Sequence, residues 1–458
     1  MKERLFAAVK KSRADYTEIR FETRESSNFF IRKHDLEVAD YSTFKGGIVR
    51  ACIKGGWGHA TFEDLTDIDT AVKDAGERAR LVGNEKTVLA EVTPVDNDVR
   101  AVPVNDFRGI GIDEKIALIR SYNDIILETD PAITSSRAGY SDLMRTVFFA
   151  NSEGSWYSEE RPALLCGFSA TASKDGLIQE DGHAVSSAND YNAALGLEEE
   201  VRTISQRAAA LLEADQCPGG PHTIIVDPEM GGLFTHEAFG HLSEADSLFE
   251  NPRILETMYT GRTMGPAELT IIDEGNYQLT RATCLYDDEG TPTGKTYLIK
   301  NGILSGHLHS RETAAKMGEQ PTGNARAVQR YHPPIVRMTN TYIDNGPLSK
   351  EDLFKEVDNG IYVCRGRGGQ TMMEMFTFSA GFGYRIENGE IGELVRDVVL
   401  TGNVFSTLAG IDGIADDLQI HQGGGGCGKG FQSPLPVTFG SPHIRIRDVV
   451  IGGKGGGA

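Results

Sequence analysis

Apolar residues recur at helical spacing in "LTDIDTAVKDAGERARLV" and again in "GIDEKIALIRSYNDIILE", which predicts two amphipathic helices in the first third of the chain. Between and after them lie "GGIVRACI", "RTVFFAN" and "ALLCGFSAT", short apolar runs closed by Gly or Asn-Ser turn signals and predicted as strands. A third helical pattern, "LEEEVRTISQRAAALLEA", stops at "DQCPGGPH", where clustered Pro and Gly end the helix and mark a domain boundary near residue 215. The second half changes character. After the apolar strand "HTIIVD", Asn-Gly pairs at 301–302 and 388–389 sit between alternating apolar runs, the pattern of two-residue hairpin loops. Helical stretches there are few, "SRETAAKMG" and "LSKEDLFKEV". The predicted fold is α+β: an α/β N-terminal domain over 1–215, then a β-rich C-terminal domain over 216–458. No fixed-period repeat is present, and the Gly-rich tail "IGGKGGGA" is expected to be a frayed end.

Length agrees with this division, because 458 residues exceed what one hydrophobic core usually organises. Apolar residues make up 39% and charged residues 24%, as in ordinary soluble domains. No apolar run approaches the roughly 20 residues of a membrane span, and "MKERLFAAVKKSRADY" lacks a signal-peptide pattern, so a cytoplasmic protein is expected. The net charge of −20 repels phosphate backbones and anionic bilayers. Direct nucleic-acid or membrane binding is therefore not expected. Cysteines at 52, 166, 217, 284, 364 and 427 form no Cys-x-x-Cys pair, and free thiols are expected of them.

The segment "FTHEAFGHLSEAD" carries the candidate chemistry. His236 and His241 are five residues apart, one more than in the common zinc-protease helix. On a regular α-helix five residues turn through about 500°, leaving the two side chains about 140° apart. They reach one side only if the helix is widened between them, as in a π-bulge, and Gly240 is the residue type that permits such a departure at least cost. On that condition two imidazoles can hold Zn²⁺ and leave room for a third protein ligand and a water. The metal brings the pKa of that water to about 7. Glu237, beside a ligand, is placed to take the water's proton and hand it to a leaving amine. Two histidines without catalytic role are the alternative, and a third ligand has to come from elsewhere in the chain.

"HQGGGGCGKGFQSPLPV" raises a second question. From Gly423 it approximates a phosphate-binding loop, but Gly430 stands where Ser or Thr should reach Mg²⁺, and Pro434 and Pro436 prevent a helix from following. Nucleotide binding is not expected on these grounds. The glycines instead let the backbone around Cys427 approach a partner closely. A thiolate there suits zinc; a buried structural cysteine is the alternative.

Together, "HEAFGHLSEAD" and "CGKGFQSPLPVTFGSPHIRIRDVVIGG" resemble the TldD/PmbA family of peptidases, as do "PTGNARA", "RMTNTYI" and "GYRIENGEIGELVRDVVLTGN". The matches run in fixed order across about residues 223–453. "ADYTEIRFE" and "GGIVRACIKGGWGHAT" extend the likeness more weakly into the first half. The resemblance implies that His236, His241 and Cys427 bind Zn²⁺ in the C-terminal domain, with Glu237 as the catalytic base. It implies unfolded or short peptide substrates held in extended form. It also implies a homodimer, or a heterodimer with a related non-catalytic subunit. A non-catalytic, gyrase-modulating role is the alternative function; hydrolysis of a small amide is a third.

Other residues stand beside these. Glu244 and Asp246 are candidates for orienting the ligand imidazoles, or are surface acids. His421 is a candidate for a supporting group near Cys427. Asn324 and Arg326 either hold a substrate backbone or build a loop. Asp287, Asp288 and Glu289 lack the alternating spacing of a calcium loop and are predicted to form a solvated turn. Met372, Met373 and Met375 are read as adaptable core filling, with an apolar substrate-facing surface as the alternative.

Overall fold

The computed structural model describes residues 1–423 and 426–452. Its first half is built on seven strands: β1 (Tyr16–Arg32), β2 (Asp35–Ile53), β3 (Gly56–Phe62), β4 (Asp96–Val99), β5 (Ile133–Asn151), β6 (Trp156–Lys174) and β7 (Leu177–Ser187). They lie in the order β3-β2-β1-β5-β6-β4, with β7 also paired to β6. Every pairing is antiparallel except β4 with β6. The short runs read from sequence are the apolar parts of much longer strands, because Ser, Thr and charged residues carry the same ladders onward.

Helices α1 (Lys2–Val9), α2 (Ile68–Val82), α3 (Ile112–Thr129) and α4 (Glu198–Ala210) supply the apolar cover. Ile19 and Phe21 of β1 pack with Leu5, Val72 and Ala75, whereas Phe29 and Ile31 share a core with Ile119, Tyr122 and Ile204. Strand alternation sends the residues between to the other face. There Glu18, Arg20 and Glu22 are also buried, and what covers them comes from the second half of the chain.

The cover is the turn at Asp287–Glu289, predicted as solvated and instead almost wholly buried. Asp288 lies 3.0 Å from Arg161, 3.5 Å from Arg145 and 3.8 Å from Arg20, and accepts the N–H of Ala327 at 2.8 Å. Glu289 shares Arg50 with Glu18. Asp287 accepts the backbone N–H groups of Glu289, Thr291 and Ala325. Three consecutive acids read as a solvated turn only when their arginine partners, more than 100 residues away, are unknown.

The second half forms two larger sheets. In one, Asn359–Met372 pairs with both Gly220–Val226 and Met375–Glu387, and the path between those two runs through Ile444–Gly452 and Val399–Asn403. The ladder therefore closes on itself. The other sheet has six strands and includes Asn340–Ile343, Thr438–Ser441 and Gln419–His421. Both Asn-Gly pairs form the expected hairpin turns, with φ of 51° and 76° at 301–302 and 50° and 83° at 388–389. The first sheet uses only residues before 188, and the C-terminal sheets only residues from 215 onward. Residues 453–458 of the glycine tail lie outside the described residues, but Ile451 and Gly452 belong to a strand. Among the described residues no helix is long and apolar enough to cross a membrane.

The methionine stretch departs from the core reading. Met372, Met373 and Met375 sit at a hairpin tip, exposed at 73%, 49% and 53%. The tip is held in the sheet, Met375 pairing with Asn403 of the neighbouring strand, but the three side chains face solvent.

Removing one member of the Asp288 cluster leaves buried guanidinium groups under-compensated. Asp288→Ala is expected to lower stability by about 3–5 kcal/mol, read from urea unfolding. Burial alone would raise the Asp288 carboxyl, but Arg145, Arg20 and Arg161 hold it well below the usual carboxylate range. Its stabilisation is thus complete above about pH 4 and lost as pH falls further. The variant should lack this part of the acid dependence; an unchanged urea midpoint would contradict the account.

Candidate metal centre

Strand Gly220–Val226 ends at Asp227, whose carboxylate accepts the N–H of Met230 at 2.7 Å and caps helix α5 (Pro228–Phe234). Pro228 occupies the first turn, where its missing N–H costs nothing. The helix then widens into a π-helix over Thr235–Gly240 and tightens into a 3₁₀ turn at His241–Ser243. The N–H of His241 donates to the carbonyl of His236, a bond spanning the same five residues that separate the two side chains. A ladder of that span places them on one face. The rings lie 5.3 Å apart between centroids, at 75° to each other.

Gly240 serves a different purpose from the one expected. Its φ of −58° and ψ of −49° are ordinary helical values. What excludes a side chain is Met338, whose Sδ lies 2.1 Å from where a Cβ would stand.

Cys427 opens a short strand paired with Gln432–Leu435. Its carbonyl accepts from Arg337 Nη2 at 2.6 Å, and Arg337 also donates to the carbonyl of Gln432. So anchored, Cys427 Sγ lies 3.3 Å from His241 Nε2. The donor atoms of His236, His241 and Cys427 all fall within 4.8 Å of one another. Around a tetrahedral zinc, nitrogen and sulfur ligands stand about 3.5 Å apart, so the spacing fits.

The surroundings fit as well. Glu244 accepts from His241 Nδ1 at 3.1 Å, and is paired in turn with Lys429 at 3.0 Å. That fixes the ring with Nε2 toward Cys427, the role expected of a carboxylate behind a ligand histidine. Asp246 does not touch either imidazole; it holds Lys429 and the N–H of Val336. His236 Nδ1 is buried without a hydrogen-bond partner among the described residues. Burial pushes the Cys427 thiol up, but His236 and His241 outweigh it and bring it down to about 5. Burial drives Cys166 to about 12 and Cys217 and Cys284 to about 11. All six cysteines are free, and among them Cys427 alone is drawn toward thiolate.

Glu237 is partly exposed, its carboxylate 3.8 Å from His241 Nε2. It borders a cavity of about 810 Å³ whose walls come from both halves, Tyr140 and Phe168 facing Glu237 and Phe439. His421 lines the same cavity, stacked on Phe439 at 5.2 Å. Burial and neighbouring cations push its imidazole down to about 3; it supports the wall and is not grouped with the three donors. Asn324 and Arg326 are structural. Asn324 donates to Asp273, and Arg326 to the carbonyls of Met338 and Pro436. Arg337 and Met338 carry no signal in the sequence, and Lys429 is visible there only as the lysine of the would-be phosphate loop, since nothing local marks a residue that supports a partner 90 or more positions away.

Family models cover most of the chain. PmbA/TldA metallopeptidase domain 1 matches residues 17–80, the central domain 105–214 and the C-terminal domain 219–453. The chain belongs to this metallopeptidase family. A metalloprotease of Synechocystis sp. is 43% identical over 443 residues, 96% of each chain. The zinc metalloprotease TldD homolog of Saccharolobus solfataricus is 28% identical, over 98% of this chain and all of that one. Two crystal structures share the fold. TldE from Thermococcus kodakarensis has a TM-score of 0.75 at 19% identity, covering 99% of this chain and 100% of its own. A protein from Thermotoga maritima named as a modulator of a DNA gyrase has a TM-score of 0.78 at 21% identity, covering 98% of each.

If Met338 is what requires Gly240, the two positions are energetically coupled. Gly240→Ala should cost about 1–3 kcal/mol by overpacking. In a double-mutant cycle, Met338→Ala should relieve most of that cost. Additive losses in thermal unfolding would place the constraint elsewhere.

Proposed function

We propose that this chain is a zinc-dependent peptidase in which His236, His241 and Cys427 hold Zn²⁺ and Glu237 is the general base. The observation that carries this reading is the π-turn, which brings two histidines five residues apart to one side, within reach of a single low-pKa cysteine. When bound, zinc polarises a carbonyl and lowers the pKa of water to about 7. Glu244 keeps His241 oriented throughout. Glu237, open to the cavity, takes the proton of the attacking water and returns it to the leaving amine. Cys427 and the buried His236 line the same cavity as Glu237.

Substrates are short or unfolded peptides. A cavity walled by two halves of one chain admits an extended segment and excludes a folded domain. The functional unit pairs this chain with a second copy or with a related non-catalytic subunit. Exposed apolar side chains at Met372, Met373, Met375 and Phe431 suit such an interface.

Zinc content and peptidase activity are expected to fall together on chelation and return together with zinc. Glu237→Gln should keep the metal and lose at least about a hundredfold in kcat, the low end for a positioned general base. Cys427→Ser should lose the metal itself. Full activity in metal-free protein, or zinc lost with Glu237→Gln, would overturn the assignment.

The same protein substrate offered native and denatured tests the second part. Cleavage is expected only of the denatured form, and equal rates would remove the argument from cavity shape.

A further inference from the structure

We propose that His307, His309 and Glu319 form a second divalent-metal site, independent of the first and built of imidazole and carboxylate alone. The three side chains converge with their donor atoms within 4.8 Å of one another. One oxygen of Glu319 lies 2.8 Å from His307 Nδ1 and the other 3.1 Å from His309 Nε2. Both rings are deeply buried, at 2% and 0% exposure.

Hydrogen-bond accounting at His307 points to a cation. Its Nε2 faces the carbonyl of Met258 at 2.8 Å and its Nδ1 faces a carboxylate oxygen, and neither partner has a proton to give. A neutral ring that donates to Met258 leaves a bare lone pair against Glu319. A second ring proton answers the same demand, as an imidazolium donating to both partners; a metal ion bound between Nδ1 and the carboxylate answers it with two ligand bonds, and the third convergent donor on His309 and the adjoining pocket suit the ion. His309 is prepared in the same way, with Nδ1 engaged by the Thr313 hydroxyl at 3.1 Å and Nε2 toward Glu319. Ligand histidines are commonly oriented through their far nitrogen in this manner.

Access and selectivity follow from the surroundings. His307 and Glu319 border a surface pocket of about 600 Å³, through which an ion can enter and water can complete its coordination. Two imidazoles with one carboxylate favour zinc, cobalt or another transition ion over calcium or magnesium.

The site also has a mechanical connection. Leu308, between the two histidines, donates its N–H to the carbonyl of Ser243 and accepts from Ala245 N–H. Occupancy would therefore brace the residues that directly follow His241. The role assigned is structural.

Cobalt(II) titration of the metal-stripped full chain separates the two sites, because only a site containing Cys427 yields a thiolate-to-cobalt charge-transfer band. Two equivalents are expected for the wild type. Glu319→Gln should bind one and retain the band; Cys427→Ser should bind one without it. His307→Gln gives a second route should Glu319→Gln fold poorly, with folding checked by circular dichroism. A wild type that binds a single equivalent with the thiolate band, or a folded Glu319→Gln with undiminished stoichiometry, would show a hydrogen-bonded His–Glu–His clasp and no metal site. Failure of the first site would look different, as bound cobalt without a thiolate band that Glu319→Gln alone removes.

Discussion

The two halves of this molecule are registered by charge buried on a sheet face. Arginines from β1, β2, β5 and β6 meet Asp288 and Glu289 where solvent is excluded. Desolvating so many ions offsets much of their mutual attraction, so the cluster is a weak source of net stability but a strict one of geometry. A sideways slip that an apolar face would tolerate strands a guanidinium without an acid. The cavity beside Glu237 takes one wall from each half. Its shape is therefore set by a contact that contains none of its residues.

That contact also marks where inference from sequence stops. "YTEIRFE" alternates apolar and charged residues, and alternation predicts a strand with one dry and one wet face. The strand is there, but both faces are dry, since a distant acidic turn replaces water on the charged side. The same blindness turned Asp287–Glu289 into a solvated loop. Local signals fared better. The Asn-Gly hairpins and the three long helical patterns of the first half appear where their periodicity places them, because neighbouring residues alone dictate those structures.

Legibility at the metal centre divides along the same line. Spacing between His236 and His241 demanded a widened helix, and the backbone supplies one. Proximity of Cys427 was open on residue chemistry and favoured by family likeness; the structure brings its sulfur to His241. The supporting residues were legible only in part. Glu244 could be singled out because it lies three residues from His241, whereas Lys429 and Arg337 act across the fold. Gly240 was noticed for the wrong reason, because a sequence shows the absence of a side chain but not the sulfur atom that occupies its place.

The π-turn has a consequence for how this segment can vary. Deleting one residue between Glu237 and His241 would recreate the common four-residue spacing and let the helix wind regularly. Four residues of a regular α-helix turn through about 400°, a full turn and about 40° more, which is nearly what the five residues of the widened turn cover here. Everything after the deletion would therefore keep nearly its present place, with Ser243 and Ala245 still against the Leu308 backbone they now bond and Glu244 still against Lys429. The widened turn is thus a phase correction that lets the histidines and the downstream chain keep their places together. The five-residue motif that looks like a near miss and the common four-residue one are thus two ways of presenting the same pair of imidazoles to one point.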